Sequence, residues 1–132
     1  QSIQLMYGVQ TTTGATVDSY LNNIADNYFT IPRDTVMYFH ADVIAVRTGG
    51  TSAGSVGDYA SWVERGVISK IGDADLTVQR ERDAIKSNGT TTLWRPTASV
   101  TGASTFIMQV RGAANTTIEW ASTIRITQLQ TS

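Results

Sequence analysis

The residues of this chain best suited to chemistry are a serine framed by glycines and one histidine upstream of it. Gly50-Thr51-Ser52-Ala53-Gly54 fits the pattern in which a sharp strand-to-helix turn exposes a hydroxyl nucleophile. A serine of that kind needs a base, and His40 is the only histidine. It precedes the serine, whereas hydrolases with this turn place the histidine last, after an acid. No helical pattern follows Gly54, and residues 49–57 are small and glycine-rich, as a bent loop between two strands would be. His40 and Asp42 stand two apart on an extended segment, so they point the same way and can hydrogen-bond to each other. One imidazole is too few for a metal site. Asp73 and Asp75 offer carboxylates, but no neighbouring residues complete an oxygen cage for calcium. The chain therefore reads as a non-enzyme, with no catalytic residue, no metal ligand set and no cofactor.

The aromatic residues offer a different chemistry. Trp62, Trp94 and Trp120 have the apolar faces on which sugar rings stack. Trp62 and Trp120 sit in mid-strand among branched residues, which favours the core. Trp94, next to Arg95 and Pro96 at a strand start, stays open between the two roles. Asn88-Gly89-Thr90 and Asn115-Thr116-Thr117 satisfy the glycosylation pattern and read equally well as turns.

Composition narrows the function classes. Ten basic and eleven acidic residues leave a formal net charge of -1, so no broad field draws in nucleic acid or an anionic membrane. No cysteine is present, which removes disulfides and thiolate metal sites. The length of 132 residues suits one domain. Neither a long apolar span nor a basic, apolar leader is found, so a soluble chain is expected, and the start at Gln1 suggests a piece of a longer protein.

The elements that must position these residues are strands. Eight alternating runs are expected and no firm helix. In residues 116–129, Ile118, Trp120, Ile124 and Ile126 share one face while Thr117, Glu119, Thr123 and Arg125 share the other. In residues 35–48, Met37, Phe39, Ala41, Val43 and Ala45 oppose Val36, Tyr38, His40, Asp42, Ile44 and Val46. Both faces there turn apolar toward the middle, as in a strand covered on both sides or one in an oligomer. Further runs span residues 2–9, 17–21, 28–31, 59–70, 94–101 and 105–111, with Pro32 closing the third. Gly66 marks a bulge or a close backbone approach. Residues 74–80 and 82–85 are read as strand, although Val78, Arg82 and Ile85 would also share a helical face. Twenty threonines suit the wet face of such sheets. The fold class is all-β, an antiparallel β-sandwich of jelly-roll type over residues 1–132.

The order of segments resembles a known family. Tyr28-Phe29-Thr30-Ile31-Pro32, the strand ending Ile44-Ala45-Val46-Arg47-Thr48, the glycine-serine loop and Ser61-Trp62-Val63-Glu64-Arg65-Gly66-Val67-Ile68 are similar to the distal β-sandwich domain of tailed-bacteriophage tail fibres and related head or neck appendages. The closing pair, residues 105–112 and 117–126 with Trp120, resembles that family's terminal hairpin. Where the family carries a second arginine beside Arg47, this chain has Val46. The resemblance implies the C-terminal end of a longer fibre protein, virion-borne and extracellular, homotrimeric, and binding a bacterial surface saccharide or protein, or else capping the shaft. It implies neither a nucleic-acid partner nor membrane insertion.

A homotrimer has separate physical grounds, because a thin sandwich with an apolar second face leaves a patch that a neighbouring copy would cover. The candidate receptor-contact residues are Thr51, Ser52, Ser55, Asn88, Trp94 and Asn115. Arg47, Glu64, Arg65, Glu119 and Arg125, all on expected strands, are read as structural or inter-subunit charges. Two other readings stand beside attachment: a structural knob that locks a head or neck fibre, and a secreted carbohydrate-binding module.

Overall fold

The computed structural model describes residues 1–72, 77–89, 91, 93–101 and 104–131. Asp73, Asp75, Thr90 and the first residues of the run expected from 74 lie outside that set. The described residues form nine strands: β1 (Ser2–Thr11), β2 (Thr16–Leu21), β3 (Phe29–Thr30), β4 (Thr35–Gly50), β5 (Tyr59–Lys70), β6 (Thr77–Ser87), β7 (Arg95–Thr101), β8 (Thr105–Arg111) and β9 (Thr116–Gln130). Every pairing between them is antiparallel.

β4 sets the frame because it pairs along nearly its whole length with β9 on one side and β5 on the other. Its inward residues Met37, Phe39, Ala41, Val43 and Ala45 are buried, each large one contributing about 1.5–3 kcal/mol. Val36, Tyr38 and Ile44 on the other side are 36%, 44% and 48% exposed. The expected second apolar face is therefore present, and it lies open in the single chain.

The strand order β1-β9-β4-β5-β6 makes one layer, and β8 with β7, β2 and β3 makes the other. β2 joins the layers by pairing with β1 through Leu21 and Tyr7 and with β8 through Val17 and Val110. Between the layers, Phe106 of β8 meets Phe39 and Tyr7 edge-on, with ring centres 5.4 and 5.8 Å apart. The Tyr7 hydroxyl donates to the Phe106 carbonyl at 3.1 Å and accepts the Phe29 N–H at 2.7 Å, so it ties three strands together. Burial raises that phenol to about 12.

The segment read as strand in spite of its helical spacing is one strand, β6, at the edge of the larger layer. Arg80, Glu81, Arg82, Asp83 and Lys86 line it with charges of both signs, which discourages further strands from adding to it. Gly66 marks a close approach: a Cβ there would run into the Gln79 carbonyl and the Arg80 backbone. The bulge in this hairpin sits elsewhere, where Ser61 and Trp62 of β5 face Lys86 and Ala84 and leave Ile85 as the extra residue.

Alternating strand directions gather the connections β1–β2, β4–β5, β6–β7 and β8–β9 at one end. Gln1 and Thr131 lie at the other, where the Gln1 amine donates to the Gln128 carbonyl and Thr131 N–H to the Asp34 carbonyl.

Candidate functional site

The connections at the shared end hold all six candidate contact residues: Thr51, Ser52 and Ser55 between β4 and β5, Asn88 and Trp94 between β6 and β7, and Asn115 between β8 and β9. Thr51, Ser55, Asn88 and Asn115 are exposed, and Ser52 is half-buried. The loops are tied to one another. Thr51 and Ser52 N–H groups donate to the Asn115 carbonyl at 2.9 and 3.2 Å, and the Asn88 side-chain oxygen accepts the Tyr59 N–H at 2.7 Å. Asn115 itself holds a left-handed backbone, φ 55, which asparagine tolerates well.

Arg47 lies beneath this loop, 3% exposed. Its Nε donates to the Gly49 carbonyl at 2.9 Å, Nη1 to Ala53 at 2.8 Å and Nη2 to Ser52 at 3.0 Å. The guanidinium thus supplies donors to three loop carbonyls at once. Arg47 therefore holds loop carbonyls, and among the described residues it makes no ion pair within 4.0 Å. Gly50, at φ 106, lets the chain pass over the Asn115 carbonyl where a Cβ would not fit. The loop 51–58 is therefore bent and pinned.

Ser52 uses its hydroxyl within this scaffold, 2.6 Å from that of Thr116. His40 lies on the outward side of β4, roughly 33 Å along the strand from its loop end at Gly50 at about 3.3 Å per residue. Its Nε2 is 3.1 Å from Asp42 Oδ1, the pair its spacing predicted. Serine and histidine are not brought together. Among the described residues no group of three or more His, Asp or Glu side chains is placed to hold a metal ion.

Trp94 is not an exposed stacking platform, since only 4% of it is accessible. Its backbone N–H donates to the Thr91 carbonyl at 3.1 Å, and this turn brings the ring to 6.4 Å from Trp120. Trp120 in turn stacks on Trp62 at 5.6 Å and donates its indole N–H to Thr11 at 2.9 Å. Among the described residues the indole N–H of Trp94 has no partner. Beside this cluster, between β5, β6 and Trp94, lies a cleft of about 400 Å³. Trp62, Ile85, Lys86, Ser87, Thr91 and Trp94 contribute to its walls.

The remaining strand charges divide into two kinds. Arg65 bridges Glu81 and Asp83 on β6, each at 3.1 Å, and Glu119 accepts from Gln10 at 2.8 Å, all on the outward face. Arg125 is exposed, opposite His40 of β4 and Gln4 of β1. Glu64 differs, pointing inward with 0% exposure. Its Oε1 accepts the Ala98 N–H of β7 at 2.9 Å and lies 3.2 Å from Arg80 Nη1, while Oε2 has no partner among the described residues. Burial pushes this carboxyl above the ordinary glutamate value, against the pull of the Ala98 N–H and of Arg80 and Arg82. It clips the open side of the sandwich. The sequence carried a signal for it, one acid among the inward set Ala60, Trp62 and Ile68.

No protein-family model and no curated protein matches the chain. Among solved structures, the tailspike protein of Acinetobacter baumannii phage AM24 superposes with a TM-score of 0.54 at 10% identity, over 99% of this chain and 27% of that protein. The tailspike protein of Acinetobacter phage vB_ApiP_P1 aligns over 98% of this chain and 21% of its own length, at 16% identity, but with a TM-score of 0.38 the superposition is too loose to bear on the fold. The chain thus shares its fold with about a quarter of one tailspike.

Proposed function

We propose that this chain is a domain of a phage virion appendage, a tail fibre or tailspike, and acts as a non-catalytic host-attachment tip. The observation that carries this reading is the gathering of Thr51, Ser52, Ser55, Asn88 and Asn115 at the end of the sandwich opposite Gln1 and Thr131. Chain attached at either terminus would leave that end free to meet a saccharide or protein of the bacterial surface. The segment order and the fold shared with part of a phage tailspike favour a virion setting. The domain acts as a homotrimer, in which the open face bearing Val36, Tyr38, Ile44 and Val67 is covered by neighbouring copies. Three sites on one rigid unit offset weak affinity at each.

One observation favours the structural knob as a second reading. Arg47 and the Ser52–Thr116 bond tie the loop to its own scaffold, as a cap requires. Adsorption of the isolated domain to host bacteria decides between the two. Attachment predicts that it decorates cells and blocks infection, and failure to do either supports the knob. A monomeric mass by light scattering overturns the trimer and favours a secreted carbohydrate-binding module.

A further inference from the structure

We infer that copies of this chain join head to tail across the open face: Met6 of one seats between Ile44 and Ile85 of the next, and Arg125 of one pairs with Glu81 and Asp83 of the next. The inference rests on the trimer reading above and names the residues that hold the copies together. Strand register sets their heights. Arg125, His40, Arg65 and Glu81 form one outward row across β9, β4, β5 and β6. Met6, Thr123, Asp42, Val63 and Asp83 form the next row toward the loop end. Subunits related by rotation about an axis along the strands meet at equal heights, so each row of one copy faces the same row of its neighbour.

The two sides of the face differ in charge. β1 has no charged residue, and Arg125 beside it is exposed, with no ion-pair partner among the described residues. Glu119, the one acid of β9, lies nearer the loops and accepts from Gln10. On the far side, exposed Glu81 and Asp83 share a single cation, Arg65, which leaves a negative charge over. Arg80 and Arg82 of the same strand reach inward instead, to Glu64 and the Pro96 carbonyl. A free cation on one side and a surplus acid on the other, in adjoining rows, are complementary between copies. Shape follows the same division. Met6 on β1 and Ile85 on β6 are 57% and 58% exposed. A groove of about 440 Å³ runs between Ile44, Val63, Ile85 and Ala121, and Ile85, the extra residue of the β5–β6 bulge, forms its outer wall. Met6 stands in the row of Val63, level with this groove, and its unbranched side chain suits an irregular gap. Because unlike sides meet, repeating the contact closes a ring.

The chain has no cysteine, so introduced ones report the contact directly. Within one chain β1 and β6 are four strand spacings apart, roughly 19 Å, too far for a disulfide, whose Cα atoms lie within about 7 Å. In the full chain carrying both Met6→Cys and Ile85→Cys, mild oxidation should give covalent trimers on a non-reducing gel. Either single variant alone should stay unlinked, and a mixture of the two, allowed to exchange subunits before oxidation, should give linked pairs. Arg125→Glu, an exposed change whose fold a melting curve checks, should weaken association about tenfold at low salt and less at high salt, read by sedimentation. Linking by a single variant, a double variant that sediments as a trimer but stays unlinked, or an Arg125→Glu trimer as tight as the parent each overturns this contact and leaves the trimer standing. A parent chain that sediments as a monomer or dimer overturns the trimer and this inference with it.

Discussion

Two buried charges sit in different parts of this sandwich and are treated in opposite ways. Arg47, under the glycine loop, has each of its three nitrogens bonded to a carbonyl. Glu64, between the layers, has one oxygen bonded and the other without a partner among the described residues. A buried charge is tolerated when its hydrogen-bonding capacity is filled, and is under stress when it is not. The loop end is thus built around a cation it cannot do without, while the flank holds an anion it would accept in neutral form.

The contrast can be broken in four experiments. Arg47→Met should cost about 3 kcal/mol, because Gly49, Ser52 and Ala53 carbonyls lose their donor, and urea unfolding measures it. A loss below about 1 kcal/mol would mean that the guanidinium only fills space. Gly50→Ala comes next, at about 2 kcal/mol, since the new Cβ must displace the Asn115 carbonyl from a left-handed position. Ser52→Ala removes one hydroxyl partner of Thr116 and should cost about 1 kcal/mol. A larger effect would give the serine a weight that its single bond does not explain.

The smallest effect at neutral pH belongs to Glu64→Gln, within about 1 kcal/mol of the parent chain, since the amide keeps an acceptor for the Ala98 N–H. Its signature is a pH slope. The native state holds the Glu64 proton more tightly than the unfolded chain does, so this group's contribution to stability falls as pH rises from the ordinary glutamate range through its raised value, and is level above it. The glutamine variant lacks that slope and should gain on the parent across the same window in melting temperature. Parallel curves for the two proteins would show that Glu64 is no more stressed than Arg47.

Side-chain alternation made the two central strands legible from sequence. The inward sets of β4 and β9 are those the period of two assigned, because each strand is long and one of its faces is continuously apolar. β6 was harder to read, as Val78, Arg82 and Ile85 also fit a helical spacing. Its pairing with β5 from Ser69 to Ala60 decides the matter, and that is a property of two segments together. Turn chemistry picked out the loops holding Ser52, Asn88 and Asn115, whereas their meeting at one end follows from the directions of strands far apart in the chain. Arg47 bonds carbonyls only two to six residues ahead of it, which the bend of the loop brings within reach, while the role of Glu64 depends on a distant strand. Ala98, which satisfies Glu64, lies 34 residues away. Trp94 stayed open between surface and core until the turn to Thr91 placed it against Trp120.

The position of β9 has a consequence for synthesis. This last strand lies between β1 and β4 and pairs with both, Ser2 against Thr127 at one extreme. A nascent chain can close the β4–β5–β6 hairpins early, but β1, which meets β2 only through Tyr7 and Gly8, must wait for its long partner until residues more than a hundred positions downstream leave the ribosome. A product stalled before Thr116 leaves both neighbours of the missing strand with open hydrogen-bonding edges, so premature termination yields a sticky species in place of a shortened but working domain.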